Sequence, residues 1–313
     1  MHGKQLMRRI ARHWQIYLFL LLPIVYLILF CYMPMTGVVI AFKKFVIRQG
    51  IWGSPWVGLA QFEKFFRSYN SMNILRNSIT LSLYSIIAGF PIPIIFALLL
   101  NCVRNDRYKR TIQTVTYMPH FISTVVIVGM LNQFMNPRIG LYGIFAHTLT
   151  GSYPIDLLGI SGAFPHLYVW TDVWQQFGWN SIVYLAALTN SDPQLHEAAI
   201  IDGASRWQRI LYVDLPCILP TATIMLIMRT GSVMSLGFEK AYLMQNNLNL
   251  ATSEIISTYV YKVGMGVSLS GGGNTMPDYS LSTAVNLFNS AVNLILICSV
   301  NAISRKLSET SLW

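Results

Sequence analysis

Six apolar stretches, at about residues 15–40, 77–100, 111–134, 165–188, 217–236 and 281–303, are each long enough to cross the hydrocarbon core of a bilayer as a helix. No other feature of the chain restricts its fold as severely. Inside lipid a backbone N–H or C=O has no water to bind, so separate spanning segments must satisfy their own hydrogen bonds as helices. The sequence therefore predicts an all-α, polytopic membrane protein with six transmembrane helices, organised as a single domain over residues 1–313. Pro23 and Pro34 in the first stretch, and Pro91 and Pro93 in the second, predict bends, because neighbouring helices can take up the freed carbonyls.

Hydrophobic residues make up 54% of the chain and charged residues 11%, which excludes an ordinary soluble domain. A net charge of +10 raises the question of nucleic acid. The cations, however, sit beside apolar stretches, where topology and anionic lipid headgroups account for them, and no nucleic-acid partner is expected. Lys4, Arg8, Arg9 and Arg12 precede the first stretch, and Arg104, Arg107, Lys109 and Arg110 follow the second. Arg206 and Arg209 precede the fifth, and Arg305 and Lys306 follow the sixth. Six crossings put all of these on one side. Lys43, Lys44, Arg48, Lys64, Arg67, Arg76, Arg138, Lys240 and Lys262 fall on the other side, more thinly spread. The bias predicts both termini in the cytoplasm. The basic start is like that of a signal peptide, but the apolar run behind it is too long for one and is read as a retained first span.

Several chemistries are excluded. The chain has no GxxxxGK[ST] phosphate loop. His196-Glu197 opens like a zinc-protease helix, but Ile200 occupies the place of the second histidine. Cys31, Cys102, Cys217 and Cys298 form no Cys-x-x-Cys pair and are read as small apolar packing residues. No catalytic residue, metal or bound cofactor is expected in this chain.

The most ordered polar interval runs from Asp192 to Pro220 within a loop at 189–216. Asp192 can cap a helix with Pro193 in its first turn, and Gly203 can take the left-handed geometry that ends it. A second short amphipathic run follows around Trp207, Ile210 and Leu211, and Pro216 and Pro220 close the segment. The spacing of Glu197-Ala198-Ala199, Asp202-Gly203, Val213 and Leu215-Pro216 resembles the EAA signature of ABC-importer permeases. Trp56-Val57-Gly58-Leu59 with Phe62, the approach to the last span at Tyr279, Leu281, Thr283 and Ala284, and the ending Ser311-Leu312-Trp313 are similar to carbohydrate-uptake permeases of the maltose type, in a subgroup for polysaccharide fragments. Gln61 and Ser280 depart from that pattern, which more often has asparagine and glycine there.

The resemblance implies a type I importer permease fold with a cytoplasmic coupling helix, in the inner membrane of a bacterium. It implies a second, homologous permease subunit, two copies of a cytoplasmic ATPase that use ATP and Mg, and an extracytoplasmic solute-binding protein. Glu197, Ala198, Ala199, Asp202, Gly203, Leu215 and Pro216 would form the ATPase-coupling element. The expected cargo is an oligosaccharide, the alternative being a neutral sugar or another small solute such as a sugar-phosphate.

Polar residues inside spans mark a candidate pathway. Asp172, Gln175, Gln176 and Trp179 share one helical face, where amides can bind hydroxyls and the indole can stack on a sugar ring. Arg229 lies in the middle of the fifth stretch and is either a reader of a sugar carboxylate or half of an inter-helix ion pair with Asp172. By the resemblance, Arg229, His120 and the Asp172–Trp179 face fall at cavity positions. Asn286, Asn289 and Asn293 form a polar stripe on the sixth stretch, read as either sugar contacts or inter-helix hydrogen bonds. Alginate- or pectin-type fragments, which carry uronates, are the cargo that a cation at Arg229 suggests.

Overall fold

The computed structural model describes residues 13–267 and 276–307. Lys4, Arg8, Arg9, Arg12, the run Gly271-Gly272-Gly273, the Lys306 side chain and Ser311-Leu312-Trp313 lie outside the described residues. Helix α1 spans Trp14–Phe42 and is about 44 Å long at 1.5 Å per residue. It widens to a π turn at Leu27–Tyr32, where Met33 N–H reaches back to Ile28 O just ahead of Pro34, and tightens to a 3-10 helix at Thr36–Phe42. The following loop clasps its end: the Phe42 ring stacks on Trp56 at 5.7 Å and meets Phe62 at 5.6 Å, with an isolated antiparallel bridge from Lys43 to Trp56.

Next come α2 (Ala60–Phe66), α3 (Ser71–Gly89) and α4 (Pro91–Asn101), the last two forming one span broken at Phe90 because Pro91 opens a new first turn. Helix α5 (Asp106–Tyr117) starts where the Asn105 side chain accepts from the Arg107 and Tyr108 amides. Helices α6 (Thr124–Phe134) and α7 (Leu141–Thr150) precede α8 (Phe164–Thr189). The cytoplasmic-loop candidate forms α9 (Pro193–Ile201), followed by α10 (Arg206–Thr230). Helices α11 (Phe238–Met244), α12 (Ile256–Met265) and α13 (Tyr279–Leu307) complete the order.

The span map is corrected in two places. The expected single span at 111–134 is two helices, α5 and α6, meeting at 96°. Met118-Pro119 forces a 3-10 turn there, and Ser123 caps a fresh helix by accepting from Val126 N–H. The expected span at 217–236 runs instead from Arg206 to Thr230, with a π turn at Ile210–Asp214, and Pro216 and Pro220 lie inside it. By length and composition, among the described residues four helices are long and apolar enough to cross a membrane, or five if the bent pair counts as one. Helix α8 reaches about 39 Å over its 26 residues, but its polar face lowers its hydropathy.

Helix α8 is the axis of the bundle, packed by α3, α4, α5 and α10. Its first half enters a core with Leu81, Val128, Leu131, Ala241 and Met244, through Tyr168, Val169 and Val173. Its second half enters another with Ala97, Leu98, Ile218 and Ala222, through Tyr184, Leu185 and Leu188. Gly178 lies between them, and a Cβ there would fall 2.2 Å from Thr116 O, so α5 crosses α8 backbone to side. Helix α1 stands apart. None of its most apolar 18-residue window is buried, and it joins α13 through Thr36–Phe42.

Candidate substrate cavity and coupling loop

The polar residues left between the two apolar cores of α8 open onto a cavity of about 540 Å³. Its walls come from α3 (Ser82, Ser85), α8 (Asp172, Gln175, Gln176), the end of α10 (Arg229) and the Ser232–Lys240 segment. The lining is rich in hydroxyls and amides, suited to a hydroxylated ligand.

Arg229 is the penultimate residue of α10, not the middle of a span, and a cation is favoured at that end by the helix dipole. Gly89 makes room for it: a Cβ on Gly89 would lie 3.2 Å from Arg229 Nη1. The expected alternative, an ion pair with Asp172, does not form. Asp172 instead faces Lys240 Nζ at 3.6 Å, and among the described residues no carboxylate lies within ion-pair distance of Arg229.

The other pathway candidates divide. Gln175 is buried and donates to Ile122 O at 3.0 Å, holding the connection between α5 and α6 while bordering the cavity. Gln176 Oε1 lies 2.8 Å from His120 Nδ1, and the His120 ring stacks on Trp179 with centroids 4.3 Å apart and planes 4° apart. His120 and Trp179 thus buttress Gln176 without lining the cavity. Asn286 is exposed and Asn289 is buried, both away from that lining. Asn293 does reach it indirectly, accepting from Met234 N–H and donating to Ser235 Oγ, which fixes the cavity floor. Trp170 donates to the Tyr84 hydroxyl at 2.9 Å.

At the other end of α8, Asp192 caps α9 by accepting from Gln194 N–H at 2.9 Å, with Pro193 at the first helical position. Gly203 ends the helix at φ +78°, and Ala204 N–H closes the turn on Ala199 O at 2.9 Å. Ser205 and Gln208 then form a reciprocal capping box that starts α10. Helix α9 has no buried residue, and Leu195, Ile200 and Ile201 are exposed. Glu197, Ala198, Asp202 and Gly203 are also exposed, Ala199 is half-buried, and Leu215 and Pro216 lie in the first turn after the π turn. Gly203, Ser205 and the apolar faces thus make a projecting elbow.

Residues 89–309 match the family described as "Binding-protein-dependent transport system inner membrane component". The chain belongs to this family. The permease is 40% identical to Protein LplB of Bacillus subtilis (strain 168) over 99% of its own length and 95% of that protein. It is 36% identical to the polygalacturonan/rhamnogalacturonan transport system permease protein YteP of the same organism, over 99% of its length and 94% of that protein. Among solved structures it matches a chain of a bacterial ABC transporter involved in the import of the acidic polysaccharide alginate. The TM-score is 0.86 and the identity 34%, over 97% of the permease and 99% of that chain. A second alginate transporter structure, in complex with an alginate pentasaccharide-bound periplasmic protein, matches at the same TM-score and identity over 98% and 100%. The permease is accordingly a multi-pass membrane subunit of an ABC importer, and not an enzyme.

Sequence reasoning overlooked Lys240, Tyr168, Ser82 and Ser85. Lys240 had the only available signal, a lone cation in the apolar run FEKAYLM, but as a loop residue it reads as a surface charge.

Proposed function

We propose that the permease carries acidic, uronate-containing oligosaccharides from an extracytoplasmic binding protein into the cytoplasm by alternating access. The observation that carries this reading is Arg229, a half-buried guanidinium without a carboxylate partner among the described residues, in a cavity whose lining includes the hydroxyls of Ser82, Ser85, Ser232 and Ser235 and the amides of Gln175 and Gln176. A guanidinium stays charged at any accessible pH, and its fork matches a carboxylate. Likeness to a polygalacturonan permease and to an importer of the acidic polysaccharide alginate supports the same ligand class.

The working assembly adds a second, homologous permease and two copies of an ATPase that use ATP and Mg. The bare flank of α1 supports contact with the second permease or with lipid. The elbow of Glu197, Ala198, Ala199, Asp202 and Gly203, backed by Leu215 and Pro216, is the face offered to the ATPase. Both termini then lie in the cytoplasm, a reading that the distribution of Lys and Arg supports.

The test is to reconstitute the whole importer in proteoliposomes with its binding protein and to measure ATPase stimulation. Trigalacturonate is compared with its fully methyl-esterified form. The acid should stimulate at about tenfold lower concentration than the ester, the scale of one charge-assisted hydrogen-bond pair, and Arg229→Gln should remove most of that advantage. Equal stimulation by the two probes in the unmodified importer overturns the reading.

A further inference from the structure

Two lysine–carboxylate pairs in the permease look alike in sequence and differ in build. Lys262 and Glu254 are both buried and touch at 2.6 Å, and Glu254 also accepts from Thr258, so this pair is closed on itself. Lys240 is 5% exposed, yet its Nζ stands 3.6 Å from Asp172 Oδ1 and makes no hydrogen bond. Its Nζ also lies over the face of the Tyr168 ring, 5.1 Å from the centroid. Asp172 is 47% exposed and borders the cavity, as does Lys240 itself. A buried ammonium with its donors unfilled is costly, and the cost falls when a carboxylate approaches to normal hydrogen-bond distance.

We infer that Lys240 is a second carboxylate-binding cation of the cavity, for which Asp172 is a loose counter-ion that a ligand carboxylate replaces. This rests on the acidic-oligosaccharide reading and sharpens it. With Arg229 taking one carboxylate and Lys240 another, the permease selects ligands that carry more than one uronate. Glu239, exposed at the cavity's edge, is the other carboxylate of the lining and is not paired with Lys240.

Lys240 also gives the site a pH signature. Burial pushes its pKa down to about 8, and Asp172 opposes the fall. The groups around it are Asp172 and Tyr168 on α8, Glu239 on its own helix and Arg229 across the cavity. Helix α6, packed on α11, has no titratable side chain, while Tyr261 of α12 contacts Phe238 and Tyr242, and Lys262 is engaged by Glu254.

The experiment uses the reconstituted importer with its binding protein and two probes, trigalacturonate and a trigalacturonate esterified so that one carboxylate stays free. In the unmodified importer the three-carboxylate probe should reach half-maximal ATPase stimulation at about tenfold lower concentration. Lys240→Met should abolish that difference. The difference should shrink above pH 8 in the unmodified importer and persist to pH 9 in Lys240→Arg, whose guanidinium does not titrate. Should Lys240→Met fail to assemble, this pH comparison decides. A preference that survives Lys240→Met, or identical pH profiles for lysine and arginine, overturns the inference alone. If trigalacturonate does no better than the full ester, the acidic-oligosaccharide reading fails, and the inference with it.

Discussion

His196 Nε2 lies 3.2 Å from the carboxylate of Asp214, tying the middle of α9 to the π turn from which α10 rises. Asp214 is buried and also accepts from Asn101 Nδ2 at the end of α4, at 3.3 Å. One carboxylate therefore joins the projecting elbow to two spans. Asp214→Ala leaves the Asn101 amide without its acceptor and removes the carboxylate beside His196, a loss of about 1–3 kcal/mol. The expected outcome is a lower Tm in detergent together with loss of ligand-stimulated ATPase activity in the reconstituted importer. Normal stimulation in the variant would show that the elbow works without this tie.

Gly203 sits at φ +78°, where a β-branched side chain is strained by roughly 1–2 kcal/mol. Gly203→Val should bind the ATPase more weakly in co-purification from detergent, whereas Gly203→Asn, which tolerates the left-handed region, should retain most of it.

At the crossing of α5 and α8, Gly178→Ala forces a methyl against Thr116 O. Overpacking of this kind costs about 1–3 kcal/mol. A fall in Tm of several degrees should appear, with no comparable fall for Gly162→Ala, where nothing lies within 4 Å of the added carbon.

Lys240 makes stability depend on alkaline pH. Its pKa is near 8 in the folded permease and 10.5 when exposed, so between those values the unfolded chain holds more protons. Stability contributed by this group therefore rises with pH from about 8 to about 10.5, by at most about 1.4 kcal/mol per pH unit. Tm of the detergent-solubilised permease, followed from pH 7.5 to 10, should rise more steeply for the natural protein than for Lys240→Met.

Much of this architecture was legible because membrane insertion is governed by apolar length, which the sequence displays directly. The elbow was legible for a different reason: Asp192, Pro193 and Gly203 each admit few backbone conformations, and those conformations dictate where α9 begins and ends. The bend between α5 and α6 was hidden because hydropathy runs unbroken through Met118-Pro119, and a proline allows either a kinked or a divided helix. The stopping point of α10 was hidden likewise, since the apolar run continues beyond Gly231. Helical periodicity put Asp172, Gln175, Gln176 and Trp179 on one face, of which the first three line the cavity and Trp179 stacks on His120 instead. It could say nothing about Lys240, whose partner is 68 residues distant and whose burial depends on α11 folding back onto α8. The same limit applies to Asn293, identified only as part of a polar stripe until Ser235 and Met234 were found against it.

Gly89 ends α3 directly before the break at Phe90, and the Arg229 guanidinium lies in the space its missing side chain leaves. The joint and the charge are therefore one piece of machinery. Under the proposed function, movement at that joint would shift the space open to the cation, and a ligand held by the cation would act back on the joint. Cargo held by Arg229 would thus be linked to this joint by direct contact, with no relay of intermediate side chains.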